Sequence, residues 1–137
     1  MPQHYTYGKI VYTPTLLDAI TGTATSSAQQ CAGARSVGIE FTEGGVVLNR
    51  SGVLTITVSL DGGTTFRAFN MLIDNLVNAN DENLTRVASK TRASAGTDIL
   101  WLDPLIVGAI THFKATVTFT DGATPTGDFT VKAVVCY

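Results

Sequence analysis

The residues of this chain that could do chemistry are few and far apart. His4 and His112 are its two histidines, and Cys31 and Cys136 its two cysteines. Nucleophilic catalysis needs a Ser, Thr or Cys beside a base that a third group orients. His4 stands near the start, and His112 opens an alternating apolar and hydroxyl-bearing run, with no acid or nucleophile signature around either. The plainer reading is one terminal histidine and one histidine on a strand surface. Zinc needs closely grouped ligands, and the cysteines lack a CxxC spacing or a nearby His pair, so two buried free thiols are expected. Asp81-Glu82 lies in a polar stretch and reads as a solvated pair, and nothing selects two carboxylates for glycoside cleavage. Gly44-Gly45 and Gly62-Gly63 are not followed by a helix opening with Lys-Ser or Lys-Thr, so they are turn glycines and not phosphate cradles. The expectation is a non-enzymatic protein with no catalytic residue, no cofactor and no metal.

The elements that would have to position any site are strands. Leu54, Ile56, Val58 and Leu60 alternate with Thr55, Thr57 and Ser59, which predicts a strand buried on its Leu/Ile face. Asp61-Gly62-Gly63 then breaks it, and Phe66–Phe69 returns, as in a hairpin with a tight two-residue turn. Ser36–Phe41 alternates with Val37, Ile39 and Phe41 inward, ahead of a turn at Glu43-Gly44-Gly45. His112–Thr120 puts Phe113, Ala115, Val117 and Phe119 on one face, and Asp128–Tyr137 aligns Phe129, Val131, Ala133 and Val135. Shorter strands are expected at Tyr5–Thr13, Val46–Leu48, Leu84–Lys90 and Ile99–Leu102, the last ended by Asp103-Pro104. Thr15–Gly33 has no strong period and reads as a loop, an arm or a weak strand. Asn70–Asn83 reads as a helical turn or an irregular loop, because its asparagines disfavour a long helix. Leu105–Ile110 fits a short strand or one turn of helix. Seven to nine strands with turns between them predict an all-β antiparallel β-sandwich, or a jelly-roll-like fold, with little helix. Residues 1–137 read as a single β domain, with 1–14 as a candidate extended N-terminal arm.

Composition agrees. Of the 137 residues 45% are hydrophobic and 15% charged, so a core is affordable without metal or disulfide. The surplus of threonine suits strand surfaces, and a charge-poor surface is readily packed against a neighbour. A net charge of −2 with no basic stripe argues against direct nucleic-acid binding. No apolar stretch is long enough to span a membrane as a helix, and the first residues lack the basic and apolar regions of a signal peptide.

Ser59-Leu60-Asp61-Gly62-Gly63-Thr64-Thr65-Phe66 resembles the Asp-box turn of sialidases and other β-proteins, with Phe66 where that motif has Trp. A single copy implies a structural corner in which the Asp side chain satisfies turn amides, not sialidase activity. The wider set Val58–Phe66, Asn70–Asn75, Leu84–Ser89, Phe113–Thr118 and Phe129–Lys132 resembles small virion proteins of tailed bacteriophages, most of all capsid decoration, or cement, proteins. That resemblance covers roughly Gly52–Lys132 and carries over no catalytic residue. It implies a virion protein on the capsid surface, assembled in the host cytoplasm. It further implies clamping between capsomers, with the major capsid protein as partner and self-association as a homotrimer. Tyr5, Tyr7 and Tyr12, and Met71, Leu72, Asn75 and Asn78, are the candidate capsid or subunit contacts. The alternatives are a carbohydrate-binding sandwich of a tail or fibre, for which Trp101 with Asp98 and Asp103 is the qualifying local set, and a tail-tube or connector subunit.

Overall fold

A computed structural model of the chain describes residues 3–6, 9–44, 51–74, 84–120 and 128–137. In chain order its strands are β1 (Gln3–Thr6), β2 (Lys9–Tyr12), β3 (Thr15–Ile20), β4 (Ala24–Thr25), β5 (Gln29–Gln30), β6 (Ser36–Gly44) and β7 (Gly52–Ser59). They continue with β8 (Arg67–Phe69), β9 (Met71–Asp74), β10 (Leu84–Val87), β11 (Lys90–Arg92) and β12 (Gly96–Leu102). One helical turn, α1 (Pro104–Val107), precedes β13 (His112–Phe119) and β14 (Asp128–Cys136). Every strand pair is antiparallel, and the strands form two sheets. The first runs β1-β2-β14-β6-β12-β9-β10, with β3 also against β14. The second runs β11-β7-β13-β4, with β5 also against β13 and β8 against β7. This is the expected all-β sandwich.

The central strands behave as their alternation dictates. Val37, Ile39 and Phe41 of β6, Leu54 and Ile56 of β7, Phe113, Ala115 and Val117 of β13, and Phe129, Val131, Ala133 and Val135 of β14 are fully or almost fully buried. They come from both sheets and form one core between them. Phe129 stacks on Phe41 with centroids 5.5 Å apart and tilts against Phe119 at 5.2 Å.

The edges depart from the sequence reading. The single strand expected at Tyr5–Thr13 is a hairpin: β1 pairs β2, and β2 pairs the end of β14 through Tyr12 and Val11. Thr15–Gly33 contains three strands. β3 joins β14 across two bulges, with Ala19 in the left-handed region at φ 45° and its N–H held by Thr130 Oγ1 at 3.1 Å. Glu43 is not in a turn: it continues β6 and is 1% exposed. The strand expected at Ile99–Leu102 begins earlier, at Gly96, as β12. Asn70–Asn83 opens with strand β9 instead of a helical turn, since β12 on one side and β10 on the other satisfy its backbone. The strand expected across Leu84–Lys90 splits: Val87 ends β10 in the first sheet and Lys90 starts β11 in the second. Leu105–Ile110 yields the turn α1, with Asp103 as N-cap and Pro104 at its first position. Fourteen strands among the described residues therefore replace the seven to nine expected, most of the surplus being short edge pieces. Val46–Leu48, Asp81-Glu82 and the hairpin connection at 121–127 lie outside the described residues.

Candidate functional site

The corner after β7 is built by two side chains. Ser59, buried at 0% exposure, donates from Oγ to Asp61 Oδ1 at 2.7 Å and accepts the Gly63 N–H at 2.9 Å. Asp61 Oδ1 also accepts the N–H groups of Thr64 at 3.2 Å and Thr65 at 2.9 Å. Hydrogen bonds from the Thr65 backbone first, then from the Ser59 hydroxyl, hold the Asp61 carboxyl down at about 2. Gly62 (φ 78°) and Gly63 (φ 91°) meet the positive-φ demand of the turn. The connection is wider than the two-residue turn expected, because pairing resumes only at Val58 with Arg67. Lys114 Nζ lies 4.2 Å from the Phe66 ring centroid, so the aromatic residue of the motif is capped by a cation. This corner is structural, as a single Asp-box copy implies.

Clasping Ser59 and Asp61 to the turn amides reverses the expected alternation. Ser59 is buried, and Leu60, expected inward, is 64% exposed. Leu60 lines a groove of about 330 Å³ together with Phe69, Ala68 and Ile106. Leu105, beside Ile106 on α1, is 91% exposed. A second groove, about 280 Å³, shares Ala68, Phe69 and Ile106 and adds Arg86 and Asp103. Asp103 Oδ1 accepts the Leu105 N–H at 3.0 Å, and Oδ2 accepts Arg86 at 2.6 Å. The Arg86 guanidinium above all, with the Leu105 N–H, holds the Asp103 carboxyl below the usual range. The floor of this surface is β8, which pairs with β7; among the described residues no strand pairs its other side.

At the same end of the strands but across β13, where Gln30 and Ser59 pair with opposite sides of His112, a groove of about 470 Å³ opens between Ile10, Tyr12, Val135 and Tyr137 of the first sheet's side and Gln29 and Gln30 of β5. Tyr12 and Tyr137 meet edge to face, centroids 5.5 Å apart at 86°. Burial, and then Cys31 and Tyr12, push the Tyr137 phenol up. Burial alone pushes the Cys31 thiol up to about 11; Cys31 and Cys136 are both free.

The residues singled out from sequence are scattered. Tyr12 lines the groove just described, Met71 is fully buried in the core and Leu72 is half-buried. Tyr5 lies in β1, while Tyr7, Asn75 and Asn78 lie outside the described residues. Trp101, Asp98 and Asp103 do not form one platform. Asp98 is held by Arg92 at 2.7 Å from the opposite sheet, Asp103 caps α1, and Trp101, an odd number of residues from Asp98, faces the other side of β12. His112 Nδ1 stands 3.2 Å from Thr111 Oγ1, and its ring lies against Gly63. No group of three or more His, Cys, Asp or Glu residues that could hold a metal occurs among the described residues.

Sequence reasoning passed over Leu60, Leu105 and Ile106. A signal existed: in Ser-x-Asp with both side chains turned to the amides, the middle residue points away. Asp103-Pro104 likewise marks a helix start that leaves the next residues outside.

Neither a family model nor a curated protein matches this chain. Among solved structures it is similar to the crystal structure of SPBc2 prophage-derived protein YomS. The identity is 18% and the TM-score 0.58, over 94% of this chain and 95% of that one. At that identity the likeness is one of fold, and it extends over nearly the whole of both chains.

Proposed function

We propose that this chain is a non-enzymatic structural protein of a phage virion that decorates and stabilises a capsid by binding between capsomers. The observation that carries this reading is the gathering of exposed apolar side chains beside an open strand. Of the five large hydrophobic residues exposed among the described ones, Leu60 and Ile106 line one groove with Arg67, Ala68 and Phe69 of β8, and Leu105 adjoins Ile106 on α1. Such a patch, with unpaired backbone groups next to it, is what a protein partner covers. The fold shared with a prophage-derived protein supports a phage setting. The major capsid protein is the partner, and the N-terminal hairpin that carries Tyr5 at the far end of the first sheet is the second contact. Assembly as a homotrimer would let modest contacts at each copy add over a symmetric shell.

The test is fractionation of the particles made by the source culture. Purified DNA-filled heads should contain this chain, in proportion to capsid protein and removable without loss of the shell. Presence only in separated tails would replace decoration with the tail-tube or connector reading. Absence from every particle would overturn a virion role.

A further inference from the structure

The groove between β2, β14 and β5 measures about 470 Å³, within the range of about 300–1,000 Å³ that small-molecule sites occupy. It shares no lining residue with the Leu60–Ile106 patch. Its lining is two phenols, two primary amides and two aliphatic side chains, none of them charged. We infer that this groove binds a neutral saccharide.

Three features of the groove point to that ligand class. The perpendicular Tyr12 and Tyr137 rings form a corner in which one ring can lie against the apolar C–H face of a pyranose while the other borders it. Gln29 Nε2 donates to the Gln30 carbonyl at 3.0 Å, which anchors that amide and leaves its Oε1 as an acceptor; Gln30 is exposed. Amides and phenols supply donors and acceptors together, which matches sugar hydroxyls that are both at once. An anionic ligand finds no cation among these lining residues. On the first-sheet side an extended peptide does not find the Tyr137 N–H free, because it donates to the Ile10 carbonyl at 3.0 Å. This assignment goes beyond the shell-binding reading, and either can fail without the other.

The experiment is nuclear magnetic resonance on the isotope-labelled full chain, titrated separately with maltotriose, cellotriose, chitotriose and mannotriose. At least one should move the Gln29 and Gln30 side-chain amides and the Tyr12 and Tyr137 ring signals, with an affinity insensitive to added salt. Gln30→Ala, an exposed change that leaves the fold intact, should weaken that binding by about tenfold. No movement at these four residues with any of the probes overturns the assignment. So does binding that survives both Gln29→Ala and Gln30→Ala. Occupation of the groove by a proline-rich peptide, with no saccharide binding, overturns it as well.

Discussion

Ser59 and Asp61 hold each other and the turn that joins β7 to β8: the hydroxyl donates to the carboxylate at 2.7 Å while accepting the Gly63 N–H. The same clasp turns Leu60 outward to 64% exposure, so one local hydrogen-bond pattern both closes the hairpin and supplies an apolar contact.

Acid should loosen this corner. The Asp61 carboxyl is depressed from 3.8 to about 2, and that of Asp103 is depressed as well. A depressed carboxyl contributes stability that is complete above its unfolded value and is lost as pH falls through its folded value. Unfolding free energy should therefore drop as pH falls from near 4 towards 2, and Asp61→Asn should flatten that decline. Urea melts at a series of pH values would show it, and equal slopes in both proteins would contradict it.

Ser59→Ala should destabilise the fold by about 1–3 kcal/mol, the usual net worth of hydrogen bonds of which one goes to a carboxylate. Ser59→Thr keeps the hydroxyl but adds a methyl where exposure is 0%, so it should recover only part of the loss. Denaturant midpoints read both.

Gly52 and Phe129 are packed across the two sheets. A Cβ on Gly52 would stand 2.7 Å from the ring of Phe129, which is itself fully buried between Phe41 and Phe119. Gly52→Ala should therefore cost about 1–3 kcal/mol by overpacking. Phe129→Leu should be the more damaging single change, and the double variant should lose less than the sum. A strictly additive thermal-melt cycle would show that the two residues do not compete for space.

The two thiols should differ in reactivity. Cys31 is fully buried and its thiol is pushed up to about 11, so little thiolate is present at neutral pH; Cys136 is half-buried. A disulfide-exchange reagent should label Cys136 first in the native protein and reach Cys31 at a rate that follows unfolding. Simultaneous labelling would contradict this.

On the shell-binding reading, Ile106→Asp should leave the fold intact, because that side chain is 44% exposed, and should weaken attachment to stripped capsids. The expected loss is about 2 kcal/mol, roughly thirtyfold in affinity. Leu105→Asp should act in the same direction. Re-addition of each variant to stripped heads is the measurement, and wild-type occupancy by both would remove this surface from the contact.

The sequence alone determined the sandwich and its central strands. Val37/Ile39/Phe41, Leu54/Ile56/Val58, Phe113/Ala115/Val117 and Phe129/Val131/Ala133/Val135 are buried as their period of two requires, because a one-residue slip would expose a whole apolar face. The Asp61-Gly62-Gly63 corner was legible too, since its hydrogen bonds are local in sequence. Tertiary structure decided the edges. β9 is a strand because β12 and β10 flank it, β10 and β11 part because each finds its ladder in a different sheet, and β3 bulges twice to stay against β14. Short segments have too little intrinsic preference to choose a partner, so long-range pairing chooses for them. Both candidate surfaces follow from that. Tyr12 meets Tyr137 and Gln29, and Leu60 meets Ile106, only after strands distant in sequence have been laid side by side.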